Sequence, residues 1–388
     1  MKYKLKSNFT TEVIEGDTYI LPYGQNIAMQ KRGVKLNSTG EYLWDLLQRT
    51  TDYDDIYESF CRYYEAYSSE EKEQLKNDLD AFFTNMETMG ILRKEQIETE
   101  AQTENFLMVE IGGLGLRLCF SKKHLHPYFN DFLVEELPNH SVSVYLEPFQ
   151  SKGLKDGTIL IRTEEMLIIQ RERMLIFDYK LNEIVKELSY DMDEKIAYLH
   201  MTDLANEDKA KEEIFLSARS AFLYYATKHH RFAMHSASIV YKGKAWLFSG
   251  YSGAGKSTHT GLWKKLFDVK DLNGDLNLLG MEEGKPIVYG MPWCGTSEIY
   301  KNESYPLGGI VFLSQGPSEE FLPMENSERA LNIMQRFVSV DWTKEGLERS
   351  LEFAKQIASS KVGIWSLRCT KNDSAAEFMK KEIDKWES

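Results

Sequence analysis

The sequence predicts a multidomain chain of mixed class, α/β and α+β, and three observations carry that prediction. Short strand signals give way to three helical segments within the first ninety or so residues. Apolar stretches of strand length then recur as far as about residue 200, with little helical periodicity between them. Near residue 245 an apolar run, a glycine-rich turn and a helix-periodic segment follow one another directly. A chain of 388 residues is long enough for two or three domains. Its 42% hydrophobic and 12% aromatic content is enough to fill their cores.

The first segment is taken as residues 1–93. Thr11 to Ile14 and Thr18 to Leu21 read as strands separated by the turn signal Glu15-Gly16-Asp17. Ile27 to Met29 and Val34 to Leu36 read as a further strand region. Asn37, Ser38 and Thr39 supply caps for a helix carrying Tyr42, Leu43, Leu46 and Leu47, and Asp52 caps a second with Ile56 and Phe60. Ser68-Ser69-Glu70-Glu71 is a capping box. The helix it opens places Leu75, Leu79, Phe82, Phe83, Met86 and Met89 on one face, and Gly90 is placed to end it. Strands followed by three helices at this size form a winged-helix-like unit. Its helices carry Glu41, Asp45, Asp54, Asp55 and Glu58, whereas a helix that reads DNA is basic.

The line Tyr19-Ile20-Leu21, Val34 through Trp44 and Met89-Gly90-Ile91-Leu92 resembles the PqqD-like domains over roughly residues 5–93. Those domains recognise ribosomally made, modified peptides. The resemblance implies that a precursor's leader adds a strand to the sheet edge at Val34, Lys35 and Leu36, beside a helical groove. Backbone hydrogen bonds then give affinity and side-chain pockets give choice. A dimerisation winged helix is the other reading of the same pattern.

Residues 94–105 are polar and read as a linker. Residues 106–230 read as a β-rich bridging region. Phe106 to Phe120 is strand-like but interrupted at Gly112, Gly113 and Gly115, and Val142, Val144 and Leu146 alternate. Thr158–Ile161, Met166–Ile169 and Met174–Phe177 form a meander, Ile196–His200 a further strand, and Glu212–Lys228 a helix. His124 and His126 stand next to a proline without ligand spacing and belong to a loop. Gly112-Gly113-Leu114-Gly115 lacks both the spacing and the following helix of a dinucleotide site.

Residues 231–388 hold the clearest chemistry. Phe232 to Val240 leads through the turn Tyr241-Lys242-Gly243-Lys244 into a strand at Ala245–Phe248. Gly250, Tyr251, Ser252, Gly253, Ala254, Gly255, Lys256, Ser257 and Thr258 follow, matching G-x-x-x-x-G-K-[ST] in full. Leu262, Trp263, Leu266 and Phe267 continue as a helix. The glycines let the backbone bend close to an anion, and the loop N–H groups and helix N-terminus point at phosphate oxygens. Lys256 is placed for the β- and γ-phosphates and Ser257 for Mg²⁺. ATP is the expected nucleotide, and since the sequence carries no base-reading motif GTP is left open.

Further on stand Asn273-Gly274-Asp275, Pro292-Trp293-Cys294-Gly295 and Pro306 to Leu313. Together with the loop, these resemble the HPr kinase/phosphorylase family over about residues 231–370, giving a P-loop HPr-kinase-like domain. The resemblance implies that Asp275, expected to end a strand near the loop, takes the acceptor's proton or ligates Mg²⁺. His235 stands where the family keeps a histidine one strand before the loop, and is implied to polarise a phosphate oxygen or the acceptor. Glu298 is a further acidic candidate. The family usually has two adjacent Asp, whereas this chain has Gly274-Asp275, so an altered or inactive catalyst remains one of the readings. Asp271 is too far along to substitute simply. Arg329 and Arg336, on an expected helix Glu328–Val338, are phosphate contacts or solvated surface. Leu347–Ala358 is expected as a helix, Val362–Leu367 as a strand, and Asp373 or Ser374 as the cap of a last helix.

The two resemblances together imply a kinase for a Ser or Thr hydroxyl of a precursor peptide. A peptide chaperone with a regulatory nucleotide site, or nucleotidyl transfer or phosphorolysis on the same scaffold, are the alternatives. The balance of 47 Lys+Arg against 60 Asp+Glu, a net charge of −13, argues against nucleic acid as a partner. Cys61, Cys119, Cys294 and Cys369 are scattered and form no C-x-x-C, as expected in a reducing cytoplasm. Met1 to Asn8 has no apolar core for a signal or anchor, and no run of 18 apolar residues marks a membrane span. The oligomeric state is left open, a homo-oligomer included.

Overall fold

The helix starts expected at Asn37, Asp52 and Ser68 are all present in the computed structural model. It describes residues 3–5, 9–22, 33–50, 52–89, 91–94, 106–149, 157–202 and 207–388. Asn37 Oδ1 accepts from Gly40 N–H at 2.8 Å at the head of α1 (Ser38–Leu47). Asp52 accepts from Asp54 N–H at 3.0 Å before α2 (Tyr53–Tyr63). Ser68 and Glu71 exchange side-chain and backbone bonds before α3 (Ser69–Thr88), the reciprocal box that satisfies two otherwise open helix donors.

These helices belong to the first of two units, residues 1–104, and the second unit is residues 105–388. In the first, β2 (Phe9–Ile14), β3 (Asp17–Pro22) and β4 (Val34–Lys35) form a sheet in that order. Separately, β1 (Tyr3–Leu5) pairs antiparallel with β5 (Leu92–Lys94), joining the two ends of the unit. The core packs Leu43, Trp44, Leu47, Ile56, Phe60, Leu79 and Phe83 around Ile20 and Leu36. The strand region at Ile27–Met29, the helix stop at Gly90 and residues 95–105 lie outside the described residues.

The second unit contains two eight-stranded sheets. The first comprises β6 (Leu107–Ile111), β7 (Leu114–Cys119), β8 (Ser141–Pro148), β9 (Thr158–Arg162), β10 (Met166–Arg171), β11 (Met174–Tyr179), β12 (Val185–Asp191) and β13 (Ile196–Met201), in the order β6-β7-β8-β13-β12-β11-β10-β9. The meander runs antiparallel from β9 to β13, and β8 inserts between β7 and β13 by parallel pairing. Strand β12 was not expected from the sequence. Helix α4 spans Glu207–Lys228, starting five residues before the expected Glu212, and buries Ile214, Phe215, Ala218 and Phe222. The core beneath it draws Leu116, Val144, Leu188 and Leu199 from the first sheet. It also takes Leu278, Met291 and Trp293 from beyond residue 230. One core therefore continues across that position.

The second sheet contains β14 (Phe232–Tyr241), β15 (Lys244–Ser249), β16 (Lys270–Asp271), β17 (Leu276–Glu282), β18 (Lys285–Tyr289), β19 (Ser304–Gln315), β20 (Glu320–Leu322) and β21 (Gly363–Cys369). The path β15-β14-β17-β18-β19 closes on itself because the long β19 also pairs in parallel with β15. Helices α5 (Lys256–Phe267), α6 (Asn326–Met334), α7 (Lys344–Ser359) and α8 (Asp373–Trp386) complete the unit. Helix α6 ends four residues before the expected Val338. The residue preceding α8 is Asn372, not Asp373 or Ser374, and it makes no side-chain cap bond. Asp373 instead pairs with Lys265 at 2.8 Å, and Ser374 Oγ donates to Glu319 at 3.0 Å. Among the described residues, no helix is long and apolar enough to cross a membrane.

Candidate functional site

Residues 250–255 leave β15 and turn into α5 with Gly253 at φ +78° and Gly255 at φ +100°. Both angles lie in the left-handed region, where a side chain would be strained, and open space surrounds both positions. The loop amides and the first turn of α5 thus end beside the Lys256 ammonium. Among the described residues that ammonium donates one long bond, 3.4 Å, to Gly250 O. Tyr251, Ser252, Ser257 and Thr258 are exposed, and Ala254 is half-buried. Gln315 Nε2 donates to Gly253 O at 2.6 Å and fixes the outer wall of the turn.

His235 on β14 is pinned by its backbone to two neighbours of this loop. Its N–H donates to Arg336 O at 2.8 Å, and its carbonyl accepts from Ser249 Oγ at 2.7 Å. The next N–H, of Ser236, donates to Asp275 O at 2.9 Å. His235 Nδ1 lies 3.2 Å from Asp275 Oδ1. The sequence-named His235, Lys256 and Asp275 therefore come together. Asp275 precedes β17, however, instead of ending a strand. The reason is Asn273, whose Oδ1 accepts from the N–H groups of Asp275 and Leu276 at 2.9 and 2.8 Å. The same side chain donates from Nδ2 to Met291 O and Trp293 O, tying the Pro-Trp-Cys-Gly turn to the carboxylate. Ser236, Ser238 and Asn277 complete this buried polar network, whose bonds fix β14 against β17.

The electrostatics are those of a site short of negative charge. The hydrogen bond from His235 is the largest influence holding the Asp275 carboxyl below the usual carboxylate range. Burial opposes it, and the nearby charges of Lys256 and Arg219 reinforce it. Burial lowers the Lys256 ammonium, Asp275 acts the other way, and Arg336 lowers it further. Lys256 and Arg219 thus act on one carboxylate, and Arg336 acts on Lys256. Arg336, for which the sequence favours solvated surface over a phosphate contact, lies in the turn after α6. Its guanidinium stacks on the exposed Tyr251 ring at 3.9 Å. Arg219 on α4 was not foreseen. It stands 31 residues before the loop motif begins at Gly250, and only the packing of α4 reveals it. Asn273 and Arg219 carry no local motif. The one signal for Asn273 was an Asn-Gly-Asp turn in a largely apolar stretch.

Other candidates fall elsewhere. Asp271 pairs with Lys264 at 2.5 Å. Glu298 is exposed at φ +57°, and its charge acts on Tyr128 and Cys294. His124 is buried in a short 3₁₀ turn, while His126 stacks on Phe215 at 4.2 Å and approaches Glu212 at 3.2 Å. A Cβ at Gly274 would lie 2.1 Å from Ser297 Oγ, so the place of a first acidic side chain is already filled. Among the described residues, no group of three or more His, Cys, Asp or Glu gathers as a metal site. A magnesium ion at Ser257 and Asp275 would take its remaining ligands from phosphate oxygens and water, the usual way this ion is held.

In the first unit, β4 is an outer strand of its sheet and pairs Val34 and Lys35 with Ile20 and Tyr19 of β3. Lys35 is exposed and bonded to Asp17 at 2.5 Å. Leu36 is buried, and its N–H donates to Thr18 O at 2.8 Å. Of the three residues expected to receive a peptide, Leu36 is thus a core residue.

Residues 25–92 match the family model of coenzyme PQQ synthesis protein D (PqqD). A search of curated proteins returned no match. The N-terminal resemblance is supported over this segment, which includes α1, α2 and α3.

Proposed function

We propose that the chain transfers the γ-phosphoryl of ATP to a Ser or Thr hydroxyl of a ribosomally made precursor peptide held through its leader. The observation that carries this reading is the convergence of Lys256, Asp275 and His235 on a glycine turn with an open anion cradle and surplus positive charge. The PqqD match at residues 25–92 supports a peptide as the partner.

The residues suggest the following division of labour. The amides of 252–257 and the head of α5 bind the phosphates, and Lys256 with Arg336 neutralises their outer oxygens. Ser257 and Asp275 would hold Mg²⁺, which supplies further charge neutralisation. The acceptor oxygen forms its bond to the γ-phosphorus as the bond to the β-bridging oxygen breaks, and ADP leaves. The hydroxyl proton passes to the Asp275–His235 pair. A leader bound to the first unit raises the local acceptor concentration to the millimolar range when the tether is short and flexible.

Gly274, with Ser297 in the place of the first acid, favours one other reading: a peptide carrier whose nucleotide site is regulatory. Intact-mass measurement of a leader-containing peptide with ATP and Mg²⁺ separates the possibilities. A gain of one phosphoryl group is expected. A gain of one nucleotide would indicate nucleotidyl transfer. An unchanged mass with ATP still bound would leave the carrier.

A further inference from the structure

Arg219 stands on the face of α4 that packs on the Pro-Trp-Cys-Gly turn. Phe215 lies four residues before it and Phe222 three after, and both rest on the Trp293 ring, with centroids 5.6 and 5.5 Å away. The Trp293 indole N–H donates to Phe215 O at 3.0 Å and locks the helix to the turn. Two residues on, Gly295 lies at φ +58° against Asp275, and a Cβ there would stand 2.9 Å from the carboxyl carbon. The helix thus delivers Arg219 toward the Asp275 carboxylate from across this turn. Its side chain is half-buried, and among the described residues the guanidinium makes no hydrogen bond and no ion pair. Tyr179, Asp275 and Glu212 act on it only through space. A half-buried guanidinium without an acceptor leaves charged donors unsatisfied until a ligand oxygen meets them.

We propose that Arg219 is a further catalytic residue, which contacts the phosphoryl group in transit from the acceptor side, an inference that rests on the kinase reading above. Lys256 and Arg219 each act on Asp275, and neither is among the charges acting on the other, so they flank the carboxylate from different sides. Lys256, at the head of α5, belongs to the nucleotide. An in-line transfer brings the acceptor to the face of the phosphorus opposite the leaving oxygen, which is the side left to Arg219. The acceptor oxygen bonds to the phosphorus, the bond to the β-bridging oxygen breaks, and the hydroxyl proton passes to the Asp275–His235 pair. Negative charge meanwhile spreads over the three equatorial oxygens. Arg219 donates to one of them while Lys256 holds another. A guanidinium stays protonated throughout and presents a planar fork, so it supplies charge and direction without competing for the proton. Arg219 precedes residue 231, so it reaches the site from outside the segment that resembles the HPr kinase/phosphorylase family.

Titrating the full chain with ADP and Mg²⁺, with and without fluoroaluminate, tests this role. Fluoroaluminate takes the place of the phosphoryl group in transit, so it is expected to tighten ADP binding by about 10²-fold or more in the unaltered chain. Arg219→Ala should lose most of that gain yet bind ADP and ATP alone as before, which also shows that the variant has folded. Arg219→Gln, uncharged and of similar length, carries the test if the alanine variant does not fold. A gain retained in a folded variant, or ADP binding lost along with it, would overturn the role given to Arg219. So would the absence of any gain in an unaltered chain that binds ADP. Binding of neither nucleotide would overturn the kinase reading, and this inference with it.

Discussion

Gly274 shows how one residue's lack of a side chain is enforced by its neighbour. Ser297 Oγ occupies the volume a Cβ would need and donates to Cys294 O at 2.6 Å. Gly274→Ala is therefore expected to destabilise the chain by about 1–3 kcal/mol in denaturant unfolding. Ser297→Gly in the same chain should recover most of that loss. Simple additivity of the two changes would refute the steric account. Asp275→Asn is expected to slow peptide phosphorylation by about 10²–10⁴-fold with ATP affinity little changed, the usual range for removing a general base. An unimpaired rate would remove Asp275 from the chemistry. The loop residues were legible because a spacing motif marks them, and His235 because the resemblance to the HPr kinase/phosphorylase family points to its position. Asn273 and Arg219 were not, because one acts through an Asx turn and the other arrives by helix packing.

At the scale of elements, two buried carboxylates hold α4 in place. Glu213 accepts from the N–H groups of Glu183, Ile184 and Val185 at 2.8–2.9 Å, satisfying the backbone where β12 begins. Glu213→Ala would leave those donors unpaired, at a cost of about 1–3 kcal/mol for each one that stays dry. Urea unfolding measures the loss, and a change below about 0.5 kcal/mol would contradict this role. Asp341, 4% exposed, bonds Lys228 of α4 at 2.7 Å and pairs with Arg349 of α7. Burial alone would raise its carboxyl, but the bonds from Lys228 and Thr343 outweigh burial and hold it below the usual range. A carboxyl lowered in the fold stabilises above its unfolded pKa of about 3.9 and loses that contribution as pH falls through the folded value. Asp341→Asn should therefore cost about 3 kcal/mol at pH 7, and the gap to the unaltered chain should narrow toward pH 3. A gap that stays constant across that range would refute the linkage. Capped helices and alternating strands were readable in the sequence. Strand β12 was not, because Val185-Lys186-Glu187-Leu188 mixes helix formers with charge, and its identity comes from the ladders on both sides.

At the scale of the whole molecule, the strand-to-helix order of the first unit was legible because each cap and turn is local. The closure of the second sheet was not. It depends on β15 meeting β19, just as the continuity of the first sheet depends on β8 meeting β13, partners far apart in sequence that no local pattern can pair. The two units each have a core of their own, so residues 105–388 expressed alone should retain nucleotide binding and lose leader binding. Loss of nucleotide binding on removing the first unit would show that the cradle is incomplete within the second. Calorimetric titration of the full chain with ATP and Mg²⁺ decides whether the turn at 250–258 is a triphosphate cradle. One site per chain is expected, abolished by Lys256→Ala in a protein that remains folded. No binding by the unaltered chain, or equal binding by the Lys256 variant, would contradict it.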